Sequence, residues 1–151
     1  MIEERLECDV EELADMRDRS GVIGYFRSAL DAVTGSLTRL KLTVNDPSQY
    51  DLVVIGTPIW MWHVSTPVLT YLTENNRRLK NVAFFLTYLT SGSGRVSRQM
   101  ADICDGQPVA TLALHSFLVN HSEHRLRRFV KTIDHFLLQL STEKAPPVTR
   151  G

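Results

Sequence analysis

The sequence predicts an α/β fold, a parallel sheet in three layers with helices on both faces. Three observations carry that expectation. Residues 52–55 (LVVI), 82–86 (VAFFL) and 109–114 (VATLAL) are short, unbroken apolar runs, the pattern of strands buried on both sides. Stretches with helical spacing separate them, and alternating strands and helices imply right-handed βαβ crossovers. At 151 residues, the chain has the length of one domain and buries about 70% of the surface its unfolded form exposes.

Composition narrows the function classes. Lys plus Arg and Asp plus Glu both number 17, for a formal net charge of zero, and 43% of residues are apolar. Neither nucleic acid nor an anionic membrane is indicated, because both select a basic surface. The basic cluster Arg125, Arg127, Arg128 and Lys131 reads as the solvated face of a helix. Cys8 and Cys104 are far apart and lack metal-like spacing, which fits a reducing compartment. The charged start and the lack of any apolar run near the ~20 residues of a membrane span make a cytoplasmic protein the expectation.

Taken in order, residues 1–7 have the spacing of a helix end, and residues 8–13 alternate as a polar edge strand would. After a charged turn at 15–21, Val22, Phe26, Leu30 and Val33 form one helical stripe ended by Gly35. A connection at 36–49 contains Asn45-Asp46-Pro47-Ser48, a strong turn signal. The central strand at 52–56 follows, and Gly56, Thr57 and Pro58 are expected to stop it. Thr66-Pro67 opens the next helix, which runs out among Asn75, Asn76, Arg77 and Arg78. The strand at 82–86 leads into a Gly- and Ser-rich loop, 87–94. Val96, Met100 and Ile103 suit a short helix ended by Gly106, before the third apolar strand at 109–114. The helix at 125–140 is the clearest, with Leu126, Phe129, Val130, Ile133, Leu137 and Leu140 in one stripe. Residues 1–140 are thus expected as the domain and 141–151, with paired prolines, as a disordered tail.

The stretch YDLVVIGTPIWMW (50–62) organises the rest. A buried strand delivers two tryptophans just past its end, where open α/β sheets place ligands. Trp60 and Trp62 either stack on a planar ligand or cover the end of the sheet. His63, beside them, either donates to a ligand or is simply solvated. His121 and His124 have an H-x-x-H spacing but, apart from Glu123, no nearby carboxylate or thiol to complete a metal set. No G-x-S-x-G elbow or Walker motif occurs, so hydrolase and nucleotidase readings have no support.

YDLVVIGTPIW (50–60), VAFFLTYLTSGSG (82–94), the strand at 109 and the closing helix together resemble the flavodoxin-like family, redox proteins that use flavin mononucleotide (FMN). The resemblance spans roughly residues 3–140. It implies an FMN-dependent oxidoreductase or electron carrier, with the isoalloxazine ring held by Thr57, Pro58, Ile59 and Trp60 after one strand. Thr87, Tyr88, Gly92 and Gly94 would hold it after the next. No side chain is assigned as a general acid or base, and no metal is implied. The expected partner is a redox protein or a small-molecule acceptor.

On the family's strand order 2-1-3-4-5, residues 8–13 become strand 2, 52–56 strand 3, 82–86 strand 4 and 109–114 strand 5. Strand 1 and its phosphate-binding loop have no counterpart, so the domain is expected to be N-terminally truncated. Three explanations stand: a longer natural protein, a decayed or truncated copy that is marginal alone or completed by another subunit, or direct pairing of strands 2 and 3. An incomplete sheet makes self-association an expectation. The alternative to a flavoprotein is a flavodoxin-fold remnant that binds no cofactor and serves as an interaction subunit or is inactive.

Overall fold

The computed structural model describes residues 6, 8–13, 37, 40 and 43–144, without the side chains of residues 60, 119 and 120. Its elements are β1 (Val53–Trp60), β2 (His63–Val64), α1 (Thr66–Asn75), β3 (Val82–Tyr88), α2 (Ser93–Ile103), β4 (Thr111–His115) and α3 (Glu123–Lys144). The four strands form one sheet in the order β2-β1-β3-β4. β1, β3 and β4 are mutually parallel, and β2 is antiparallel to the end of β1.

Alternation along β3 explains its unbroken apolar sequence. Phe84 and Leu86, both fully buried, face one core with Ile55, Val68, Leu72, Val96 and Met100. Ala83 and Phe85 face the other, with Leu112, Leu114, Leu126, Phe129 and Ile133. Helices α1 and α2 therefore cover one face and α3 the other, giving the three layers that the sequence predicts. Each fully buried side chain of this size contributes about 1.5–3 kcal/mol.

Several boundaries differ from expectation, each for an identifiable reason. β1 does not stop at Gly56-Thr57-Pro58 but runs through to Trp60. The Val53 amide donates to the Asn81 carbonyl, and Val53 pairs with Val82. The backbone groups of Val53, Ile55 and Thr57 therefore turn toward β3, and the nitrogen of Pro58 turns away from it. A missing N–H there breaks no bond to β3, the circumstance in which strands tolerate proline. β3 likewise extends through Thr87 and Tyr88, which the sequence places in the loop. β4 begins at Thr111 rather than at Val109.

Residues 8–13 are not a strand. The Glu11 carboxylate accepts the Val44 and Asn45 amides at 2.6 and 3.1 Å, and that of Asp9 accepts the Tyr50 hydroxyl at 2.7 Å. These side-chain bonds tie the segment down in place of a ladder, so its assignment as strand 2 is corrected. The turn at 45–48 is present: the Asp46 carboxylate accepts the Ser48 amide at 2.9 Å, opening a 3-10 turn at Pro47–Gln49.

α1 starts at Thr66, placing Pro67 second, and passes into a 3-10 turn at Asn76–Arg78. α3 continues to Lys144, whose ammonium lies 2.6 Å from Asp51 Oδ1. Residues 141–144 thus belong to the helix, not to a tail. The helix expected at 22–33, the turn at 15–21 and residues 145–151 lie outside the described residues. Among the described residues no helix is long and apolar enough to cross a membrane.

Candidate functional site

The parallel register of β1 and β3 places Pro58 opposite Thr87, so the segments that follow these strands leave the sheet side by side. This is the carboxyl end, where open α/β sheets bind ligands. Both halves of the predicted site meet here.

After β1 the chain turns in two residues, Met61 and Trp62, pairing Trp60 with His63 and Ile59 with Val64. Both central residues are left-handed, with φ of 47° and 62°, which defines a type I′ hairpin. That geometry favours Asn-Gly. In large side chains it costs about 1–3 kcal/mol per residue unless the surroundings enforce it. Two neighbours do so. Val64, fully buried, anchors the return strand. The indole N–H of Trp62 donates to Ser91 Oγ at 3.0 Å.

Trp62 also packs against Gly92. A Cβ on that glycine would lie 2.7 Å from Trp62 Cδ1 and 3.3 Å from its Cα, and φ at Gly92 is +103°. Glycine is demanded here twice, by backbone conformation and by contact. Gly92 also precedes α2, its carbonyl accepting the Val96 amide at 3.0 Å. Gly94 differs: a Cβ there would meet nothing within 4 Å.

The other predicted residues divide by role. Thr57 is buried, and its hydroxyl lies 2.9 Å from both the Pro58 carbonyl and Ser65 Oγ while accepting the Ser65 amide at 3.2 Å. It fixes the start of α1, and its polar atom is spent within the protein. Ile59 packs on the first core. Pro58 is exposed, and the Trp60 side chain lies outside the described residues. Tyr88 meets His115 edge-on at 5.5 Å between ring centroids, and the Phe117 amide faces His115 Nδ1 at 3.4 Å. One hydroxyl near Thr57 is unsatisfied: Thr66 Oγ1, buried at the first turn of α1, has no hydrogen-bond partner.

The sequence marks both loops but not their joint. Met61-Trp62 carries no turn residue, and Ser91 lies within a Gly/Ser run that does not single it out. No group of three or more His, Cys, Asp or Glu side chains suited to a metal occurs among the described residues.

A profile of the flavodoxin family matches residues 15–133. The chain belongs to the flavodoxin family. Among solved structures, the crystal structure of a flavoprotein in complex with FMN from Lactobacillus acidophilus NCFM is similar at 21% identity and a TM-score of 0.56. The match covers 80% of this chain and 87% of that one. The NMR structure of the apo-form of the flavoprotein from Lactobacillus acidophilus NCFM matches at 26% identity and a TM-score of 0.44, over 58% of each chain. No curated protein sequence matches.

Of an FMN molecule, the strand-end residues are compatible with the flat ring alone. Exposed aromatic surface on Trp62, the open position at Gly94 and the adjoining strand ends Pro58 and Thr87 suit a flat heterocycle. A Ser/Thr-rich phosphate loop is not found among the described residues.

Proposed function

We propose that the chain is an FMN-binding redox protein whose own residues grip the isoalloxazine ring at the ends of β1 and β3. The observation that supports this best is the strained Met61-Trp62 turn at the strand ends. Left-handed bulky residues persist where the surroundings enforce them, and such strain clusters at ligand sites. Trp62 supplies a stacking face, and Pro58, Thr87 and Tyr88 border the ring beside it. When bound, FMN supplies the electron-accepting chemistry, and the protein's part is binding, orientation and tuning of potential. Its partner is then a redox protein or a small-molecule acceptor.

A second reading has its own observation. Trp62 rests directly on Gly92 and is hydrogen-bonded to Ser91, so the two loops already satisfy each other. A flavodoxin-fold chain that binds no cofactor, serving as an interaction subunit, would look this way. Titrating FMN into the purified chain separates the two. Quenched flavin fluorescence and a raised thermal midpoint are expected of a flavoprotein, and free-flavin fluorescence with an unmoved midpoint supports the second reading.

A further inference from the structure

Beside the hairpin lies an open cleft of about 640 Å3, lined by His63, Arg95, Arg98, Gln99, Asp102 and Ile103. The cleft is shallow, and Arg95, Arg98 and Asp102 on it are exposed to solvent. Apart from His63, which follows the Met61-Trp62 turn, its polar side chains lie on α2.

Five of the six lining residues come from α2, at positions i, i+3, i+4, i+7 and i+8, so they form one face of that helix. Their charges are arranged against the stability of the helix. Arg95 stands in the first turn, where the backbone dipole favours an acid, and that turn contains none. Arg98, three residues on, places a like charge beside it. Asp102 stands in the last turn, where a cation is favoured.

Among the described residues no internal pairing offsets this. Arg95 has no hydrogen-bond or ion-pair partner among the described residues. Arg98 spends its Nε–H on the Gly94 carbonyl at 3.2 Å, and its terminal nitrogens have no partner among the described residues. Asp102 makes no ion pair with it, although the two are four residues apart. Guanidinium nitrogens without a partner among the described residues match the geometry of phosphate oxygens, which they bind in a fork.

We propose that this cleft binds a phosphorylated ligand of nucleotide size, distinct from the flavin. The phosphate takes Arg95 and Arg98, with His63 opposite from β2. Asp102 accepts hydrogen bonds from ligand hydroxyl or amino groups, and Ile103 supplies an apolar contact. Arg95 and Asp102 are seven residues apart, about 10 Å along the helix axis, a span that a mononucleotide bridges.

The test is titration of the full chain, without FMN, with ADP and separately with inorganic phosphate, followed by calorimetry and by amide shifts of α2. Saturable ADP binding is expected, with inorganic phosphate competing more weakly. Arg95→Gln with Arg98→Gln should weaken ADP about tenfold or more, while Asp102→Asn weakens ADP and leaves phosphate binding unchanged. These side chains project from the buried stripe of Val96 and Met100, and an unchanged thermal midpoint verifies that the variants fold. Absence of saturable binding, or undiminished binding in the double variant, overturns the proposal. Equal affinity for phosphate and ADP overturns the nucleotide assignment. A final arm adds FMN: displacement of ADP overturns the claim of a distinct ligand, and unchanged ADP affinity supports it. Because ADP is measured without flavin, failure to bind FMN leaves this result standing.

Discussion

Trp62 and Gly92 lock the two strand-end loops together: the tryptophan side chain occupies the space that any Cβ at position 92 would need. The contact joins the hairpin after β1 to the turn that launches α2. Strain at Trp62 and freedom at Gly92 are therefore two sides of one packing arrangement. The indole hydrogen bond to Ser91 aligns it.

Gly92→Ala tests that lock. The methyl group meets Trp62 Cα and Cδ1, and φ of +103° is unfavourable for any L side chain. Together these should cost about 1–3 kcal/mol. Urea unfolding followed by far-UV circular dichroism should show a lowered midpoint with an unchanged slope. Trp62 should leave its seat, shifting native-state tryptophan emission to the red. An unaltered emission maximum would mean that the indole does not rest on Gly92.

What the sequence shows of this arrangement follows from local chemistry. β3 is legible because burial on both faces leaves an unbroken apolar run, and α3 because its stripe repeats over many turns. Pro58 misleads because its missing N–H matters on one edge of the strand alone, and sequence does not say which edge faces β3. The Met61-Trp62 hairpin is invisible because no Asn or Gly announces it. Residues 8–13 alternate as a strand would, yet Asp9 and Glu11 bond to partners 41 and 33 residues away. The helix overruns its expected end, and there Lys144 meets Asp51, 93 residues earlier in the chain, a contact that no local pattern announces.

Thr66 offers a test of a different kind. Its hydroxyl is buried at 2% exposure and lacks a partner among the described residues. Thr66→Val keeps the shape and removes the unsatisfied oxygen, so the variant should be more stable by about 1 kcal/mol. Thr57→Val should do the opposite, since its hydroxyl accepts the Ser65 amide and contacts Ser65 Oγ. Thermal unfolding of the two variants should shift in opposite directions. A loss of stability in Thr66→Val would reveal a polar partner for that hydroxyl.

The Asp51–Lys144 tie makes the end of α3 sensitive to acid. The Lys144 hydrogen bond, reinforced by its charge and that of Lys80, holds the Asp51 carboxyl below its ordinary value. Asp46 is lowered too, chiefly by the Ser48 amide and hydroxyl, with Arg78 2.6 Å away. A carboxyl with a depressed folded pKa binds fewer protons folded than unfolded. Its contribution is therefore complete above the ordinary carboxylate range, near pH 4, and disappears as pH falls through the lower folded value. Carbon chemical shifts of Thr142, Glu143 and Lys144 should accordingly lose helical character below about pH 4, before the core unfolds. Asp51→Asn should show those frayed shifts already at neutral pH, with no further acid transition there. Added salt should imitate the substitution, because both groups are exposed and screening reaches them. If the last turn stays helical in Asp51→Asn, the helix persists to Lys144 on its own propensity, and the contact between residues 51 and 144 is a consequence of that length rather than its cause.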